Sequence, residues 1–171
     1  MGSLLLAGSL TSCSNSSIEA TKSAVNVTAS PDKTAVASTT VVKVKAEEVL
    51  IQKGKPGEAV VQLTIDPGYH INANPPTYPY LRATALELPG DQDFTLGSIT
   101  YPQPQTKKFA FAEQALAVYE GSATIKVQLK PNKAIKTGEQ KVGARLQVQA
   151  CDDQVCYAPG VIDFAIPVNV K

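Results

Sequence analysis

From residue 39 onward, apolar and polar residues alternate in short runs. Residues 59–65 read A-V-V-Q-L-T-I and residues 83–88 read A-T-A-L-E-L. Runs of the same kind cover residues 41–49, 94–101, 115–119, 123–129, 142–150 and 161–170. A period of two puts every second side chain on one face of an extended strand. Turn-forming residues separate the runs: Lys55-Pro56-Gly57, Asp66-Pro67-Gly68, Pro89-Gly90-Asp91, Glu120-Gly121 and Pro131-Asn132. No stretch sustains the 3.6-residue period of an amphipathic helix. About eight short strands with regular turn signals predict an all-β domain over residues 39–171, an antiparallel β-sandwich of immunoglobulin-like type.

The first 38 residues follow a different pattern. Residues 14–38 are rich in Ser, Thr and Ala with scattered charge and no apolar period, and read as a disordered, flexible tether. Residues 1–13, MGSLLLAGSLTSC, form an apolar run ending in small residues, the pattern of an export signal. The run is shorter than the roughly 20 apolar residues that span a bilayer. Leu10-Thr11-Ser12-Cys13 resembles a bacterial lipobox, which implies cleavage before Cys13 and lipid attached to its sulfur. The expectation is therefore a lipid-anchored periplasmic protein, with Ser14 after the cysteine favouring the outer membrane. The competing reading is an apolar tail with an unmodified thiol.

Composition narrows the chemistry. The chain of 171 residues carries 16 Lys+Arg against 15 Asp+Glu. This balance gives no electrostatic reason to expect nucleic acid, or membrane contact beyond the N-terminal lipid. A hydrophobic content of 43% suffices for a core. With a single His and no Trp, imidazole and indole chemistry have almost no representatives. Of the three cysteines, lipidation accounts for Cys13, leaving Cys151 and Cys156 as a pair. An oxidising compartment would let that pair cycle between dithiol and disulfide.

Four residues separate the pair, in the stretch Gln149-Ala150-Cys151-Asp152-Asp153-Gln154-Val155-Cys156-Tyr157-Ala158-Pro159. Facing each other across a hairpin loop, the two Cα atoms would lie about 4.5–5.5 Å apart, within disulfide reach. So small a ring stabilises a fold by only about 2 kcal/mol in the chain-entropy account. A bridge at a loop tip is open to an attacking thiolate. On spacing alone, a redox-active pair and a local staple in a non-catalytic interaction module stay equally open. A third reading is a copper carrier, with two thiolates and His70 around copper(I). Zinc is disfavoured, because its structural sites want four ligands. Asp152 and Asp153, between the cysteines, would raise the thiol pKa values.

Three stretches together are similar to one family. They are Gly68-Tyr69-His70-Ile71-Asn72-Ala73-Asn74-Pro75-Pro76, Leu116-Ala117-Val118-Tyr119-Glu120-Gly121, and the cysteine stretch above. With the strand spacing between them, the chain from Val41 onward resembles the N-terminal periplasmic domain of DsbD, a thiol:disulfide interchange module. The resemblance implies a protein-disulfide oxidoreductase that needs no cofactor or metal. Reducing equivalents would pass between thioredoxin-like or disulfide-isomerase-type periplasmic proteins, with electrons from a separate membrane donor. It implies that Cys156 forms the mixed disulfide and that Cys151 resolves it. It also implies an aromatic cap over the pair, here within residues 107–113, with Phe111 as first candidate and Phe109 as second. Tyr157, beside Cys156, is a further auxiliary candidate. His70 carries two readings: a surface or hydrogen-bonded histidine at a strand end, or a proton-transfer group near the dithiol. Asn72, Asn74 and Pro75-Pro76 read as a rigid structural loop.

Overall fold

The computed structural model describes residues 36–90, 93–132 and 135–171. The lipobox, Cys13 and residues 14–35 of the expected tether lie outside the described residues. The alternating runs form strands because their inward positions are almost all Val, Ile, Leu or Ala. Ala59, Val61, Leu63 and Ile65 point inward from β3 (Gly57–Ile65), and Ala123, Ile125, Val127 and Leu129 do so from β9 (Ser122–Pro131). Opposite them, Val142, Ala144, Leu146 and Val148 project from β10 (Gly138–Val148), and Ile166, Val168 and Val170 from β12 (Gly160–Val170). All join one hydrophobic core. Each large side chain so buried contributes about 1.5–3 kcal/mol of transfer free energy.

The first sheet has the order β1 (Val42–Ala46), β3, β9, β6 (Phe94–Thr100). The second has the order β2 (Val49–Ile51), β12, β10, β5 (Ala85–Glu87). Among the described residues no helix occurs, and the architecture is an immunoglobulin-like β-sandwich. One pair departs from the antiparallel expectation: β2 runs parallel to β12, with Val49 opposite Val168 and Ile51 opposite Val170. The run 41–49 is accordingly not one strand. Exposed Glu47 and Glu48 interrupt the inward pattern, so β1 stays on β3 while Val49 and Ile51 bury their side chains beside β12.

A third sheet, absent from the sequence expectation, carries the cysteines. Its order is β11 (Ala150–Cys151), β4 (His70–Asn72), β8 (Leu116–Tyr119), β7 (Gln105–Lys107). Gln149 makes the junction at which the chain leaves β10 for β11. Its side-chain Oε1 accepts from Asn72 Nδ2 (3.0 Å) and Arg82 N (2.8 Å), while its Nε2 donates to the Tyr157 carbonyl (3.2 Å). Asn72, expected in a rigid loop with Asn74, is instead the last residue of β4; its Nδ2 also donates to Arg82 O, and Asn74 Nδ2 donates to Thr84 O. On the far side of β8, Gly121 takes φ of 63°, which lets the chain turn tightly into β9 and places Glu120 at the sheet end.

The packed chain begins ahead of residue 39. Ser38 is buried, donates its hydroxyl proton to Ala158 O (2.6 Å) and accepts from Ala150 N (2.9 Å). The last residue of the expected tether thus braces both flanks of the cysteine loop.

Candidate functional site

The cysteine loop is a small hairpin held by its own polar groups. Tyr157 N donates to Ala150 O (2.8 Å) and Asp152 N to Val155 O (2.9 Å). These bonds flank Cys151 and Cys156 on either side, which makes the two cysteines a non-hydrogen-bonded antiparallel pair. Side chains approach most closely at such pairs, and here they are joined as a disulfide with Cα atoms 3.9 Å apart. That is closer than the hairpin estimate from the sequence. Asp152 Oδ1 accepts from Gln154 N (2.7 Å) and Val155 N (2.8 Å), and Oδ2 accepts from the Tyr157 hydroxyl (2.5 Å).

This carboxylate is therefore committed to shaping the loop, and its negative charge reaches the sulfurs already paired with donors. The bond pushes the Tyr157 phenol up to about 12, so Tyr157 stays protonated and acts as a strut. Asp153 is exposed and lies 3.5 Å from Lys107 Nζ.

The two sulfurs differ in access. Cys151 is wholly buried, at 0% exposure, whereas Cys156 is half-buried and lies on the wall of a cavity of about 510 Å³. Tyr78, Tyr80, Leu81, Phe111 and Leu116 form most of the remaining wall. Tyr78 and Tyr80 stack at 5.1 Å, and the Tyr78 hydroxyl accepts from Gln114 N (3.0 Å). These two tyrosines and Leu81 were not singled out from the sequence. The stretch Thr77-Tyr78-Pro79-Tyr80 was the available signal, two aromatics in a proline-rich loop.

The cap candidates divide their work. The loop bearing them closes on itself: Lys108 Nζ donates to Ala112 O (2.7 Å) and Glu113 O (2.6 Å), and Ala112 N donates to Phe109 O (3.3 Å). Phe111 is 40% exposed and lines the cavity that Cys156 shares. Phe109 points inward, packs with Leu116 and Val118 in a small second core, and stacks on His70 at 4.1 Å. The two Phe rings stack in turn at 5.4 Å. A continuous column of rings thus runs from the exposed Phe111 through Phe109 to His70.

His70 is neither on the surface nor hydrogen-bonded, contrary to the first of its two readings. It is 0% exposed, and neither ring nitrogen has a hydrogen-bond partner. Strand register explains its place: His70 sits directly opposite Cys151 on β4, and Cys151 directly opposite Cys156. Directly paired residues share a sheet face with Cβ atoms about 4.5–5.5 Å apart. On the other flank, His70 Nδ1 stands 4.0 Å from Glu120 Oε1, too far for a hydrogen bond. Glu120 is held instead by Lys107 Nζ at 2.7 Å. The row across the sheet is Cys156, Cys151, His70, Glu120.

Burial first, then the nearby Lys107 charge, lower the His70 pKa from 6.5 to about 4, against the opposing pull of Glu120, Asp153 and Asp152. The imidazole is neutral at pH 7. Between pH 6.5 and 4 the unfolded chain binds a proton at this position that the folded domain refuses, so stability falls as pH drops through that window. In urea titrations across the window, His70→Gln should show a shallower loss than the unmodified domain. Parallel profiles would mean that His70 titrates alike in the folded and unfolded states.

With both sulfurs joined, among the described residues no group of three or more His, Cys, Asp or Glu side chains is placed to hold a metal ion.

The family described as "Thiol:disulfide interchange protein DsbD, N-terminal" matches residues 32–166. No curated protein matches the chain. Among solved structures, the reduced N-terminal domain of DsbD from Neisseria meningitidis is 19% identical, with a TM-score of 0.46, over 78% of this chain and 90% of that one. The N-terminal periplasmic domain of ScsB from Proteus mirabilis is 11% identical, with a TM-score of 0.50. That match covers 75% of this chain and 46% of the ScsB chain, and at this identity it speaks to the fold alone.

Proposed function

We infer from its family, for this chain belongs to the N-terminal domains of the thiol:disulfide interchange protein DsbD, that Cys151 and Cys156 are its working group. The domain exchanges disulfides in the periplasm, passing electrons between thioredoxin-like partners. The observation that carries this reading is the unequal access to the two sulfurs. Disulfide exchange needs an in-line approach of a thiolate to one sulfur while the other leaves. Cys156, on the cavity wall, admits that approach, and Cys151, buried beside His70, is the leaving group.

A partner thiolate attacks Cys156 Sγ, an intermolecular S–S bond forms, and the Cys156–Cys151 bond breaks with its electron pair left on Cys151. A second partner thiolate then attacks the partner's own sulfur in the mixed disulfide and releases Cys156 as a thiolate. The partner leaves oxidised, and the domain takes up two protons from the partner thiols or water. Run backward, the reduced domain hands the same electrons on. Phe111 and the tyrosine-lined cavity give the partner an apolar surface beside the attacked sulfur. The N-terminal segment supports a lipid-anchored version of this reading, with Cys13 as the acylated residue.

A redox titration of the domain against glutathione tests the function. The disulfide should open and close reversibly, with a potential above about −300 mV. A bond that stays closed below that potential would be a staple, and the exchange reading would fall.

A further inference from the structure

His70 makes no hydrogen bond in the domain with its disulfide closed. A neutral imidazole has one N–H to donate and one lone pair to accept, and a buried polar group with neither in use is rare in folded proteins. Here both ring nitrogens are unpaired at 0% exposure. The one carboxylate within reach, Glu120, is turned to Lys107. From the ring-stacking side Phe109 excludes water, and from the neighbouring strand the register sets Cys151 beside the imidazole. The charged groups facing His70 are Lys107 on β7, Glu120 at the end of β8, and Asp152 and Asp153 in the cysteine loop.

In the oxidised domain the sulfur next to His70 is a disulfide sulfur, a poor hydrogen-bond acceptor. Reduction changes that. When the bond opens, Cys151 holds the electron pair inside a buried site, away from water and close to two aspartates, where a bare thiolate is costly. We propose that His70 is the hydrogen-bond partner of Cys151 in the reduced domain, donating its N–H to the departing thiolate, so that this N–H is orphaned only while the disulfide is closed. This deepens the exchange reading and rests on it. The orphaned imidazole raises the free energy of the oxidised form relative to the reduced one, so the fold itself biases the pair toward accepting electrons. His70 acts on the leaving sulfur, and its contribution appears in the redox equilibrium rather than in partner docking.

The lowered pKa agrees with this role, since a neutral ring keeps its N–H without adding a buried positive charge. Phe is the informative replacement, because it keeps a flat ring against Phe109 and removes both nitrogens. Gln keeps a donor in a comparable volume.

The test is the equilibrium constant of the purified domain with the glutathione couple, measured for the unmodified protein, His70→Phe and His70→Gln. His70→Phe should favour the oxidised form about tenfold more strongly, a potential lower by about 30 mV. His70→Gln should stay close to the unmodified value. The thiolate absorbance of the reduced domain, followed against pH, should show the buried thiol ionising at higher pH in His70→Phe and not in His70→Gln. If His70→Phe does not fold, His70→Leu takes its place. An unaltered constant in the apolar variant, or an equal shift in both variants, overturns the proposal, because a merely structural role destabilises both redox forms alike. Failure of the unmodified domain to equilibrate at all would instead sink the exchange function.

Discussion

A Cys151→Ala variant should accumulate a covalent complex with an oxidised thioredoxin-like protein, and a Cys156→Ala variant should accumulate almost none. The contrast follows from access. In Cys151→Ala the remaining sulfur lies on the cavity wall, where it meets the partner's disulfide and forms a mixed disulfide that no neighbouring thiol can resolve. In Cys156→Ala the remaining sulfur is wholly buried, on the strand position opposite His70, and cannot reach a partner without the sheet opening. The expected difference is close to all-or-none on a non-reducing gel. Equal trapping by both variants would remove the assignment of Cys156 as the attacked sulfur. Trapping by neither, with a disulfide that glutathione fails to open, would leave a structural bridge. Removing that bridge costs about 2 kcal/mol in the chain-entropy account, so a measurable loss of stability and nothing else would then be seen.

The long strands were legible because each buries one face only. In β9 and β10 inward Val, Ile and Leu alternate with outward polar residues over ten and eleven residues, enough repeats for the period to stand out. Of the third sheet only β8 stood out, as the run 115–119, and the rest was hidden for the opposite reason. Its strands have two to four residues, and β4 is buried at all three positions, so His70, Ile71 and Asn72 show no alternation. The cysteine pair itself was readable, since its partners are five residues apart and one hairpin brings them together. The placement of His70 beside Cys151 was not, because it depends on β4 pairing with a strand about 80 residues away. The family resemblance ranks Phe111 ahead of Phe109 as the cap, and nothing in the residues themselves shows which ring is buried. Two residues apart in an irregular loop, they face in different directions, and only the packing of Leu116 and Val118 decides which one is buried.

That difference between the two phenylalanines leads to a second large effect. Phe109→Ala removes a buried ring from a small core made with Leu116 and Val118, and the usual cost of such a cavity is about 3–5 kcal/mol. The loss should be visible as a lower midpoint in urea. Phe111→Ala removes a ring that is 40% exposed, so its stability should change by no more than about 1 kcal/mol. The kinetic order reverses. Phe111 lines the cavity that leads to Cys156, so its removal should speed reduction by a small thiol several-fold while the fold stays intact. The two variants also separate at His70. Phe109 stacks directly on the imidazole and helps exclude water from it, whereas Phe111 touches the column only through Phe109. In Phe109→Ala water reaches the ring, and because desolvation is the leading cause of the lowered pKa, the His70 titration should move from about 4 back toward 6.5. In Phe111→Ala it should stay where it is. Proton resonance titration of the single histidine reads both outcomes in the same experiment. An unmoved His70 in Phe109→Ala would assign the desolvation to the sheet beneath the ring, and an accelerated reduction in neither variant would mean that partners reach Cys156 from outside the aromatic cavity.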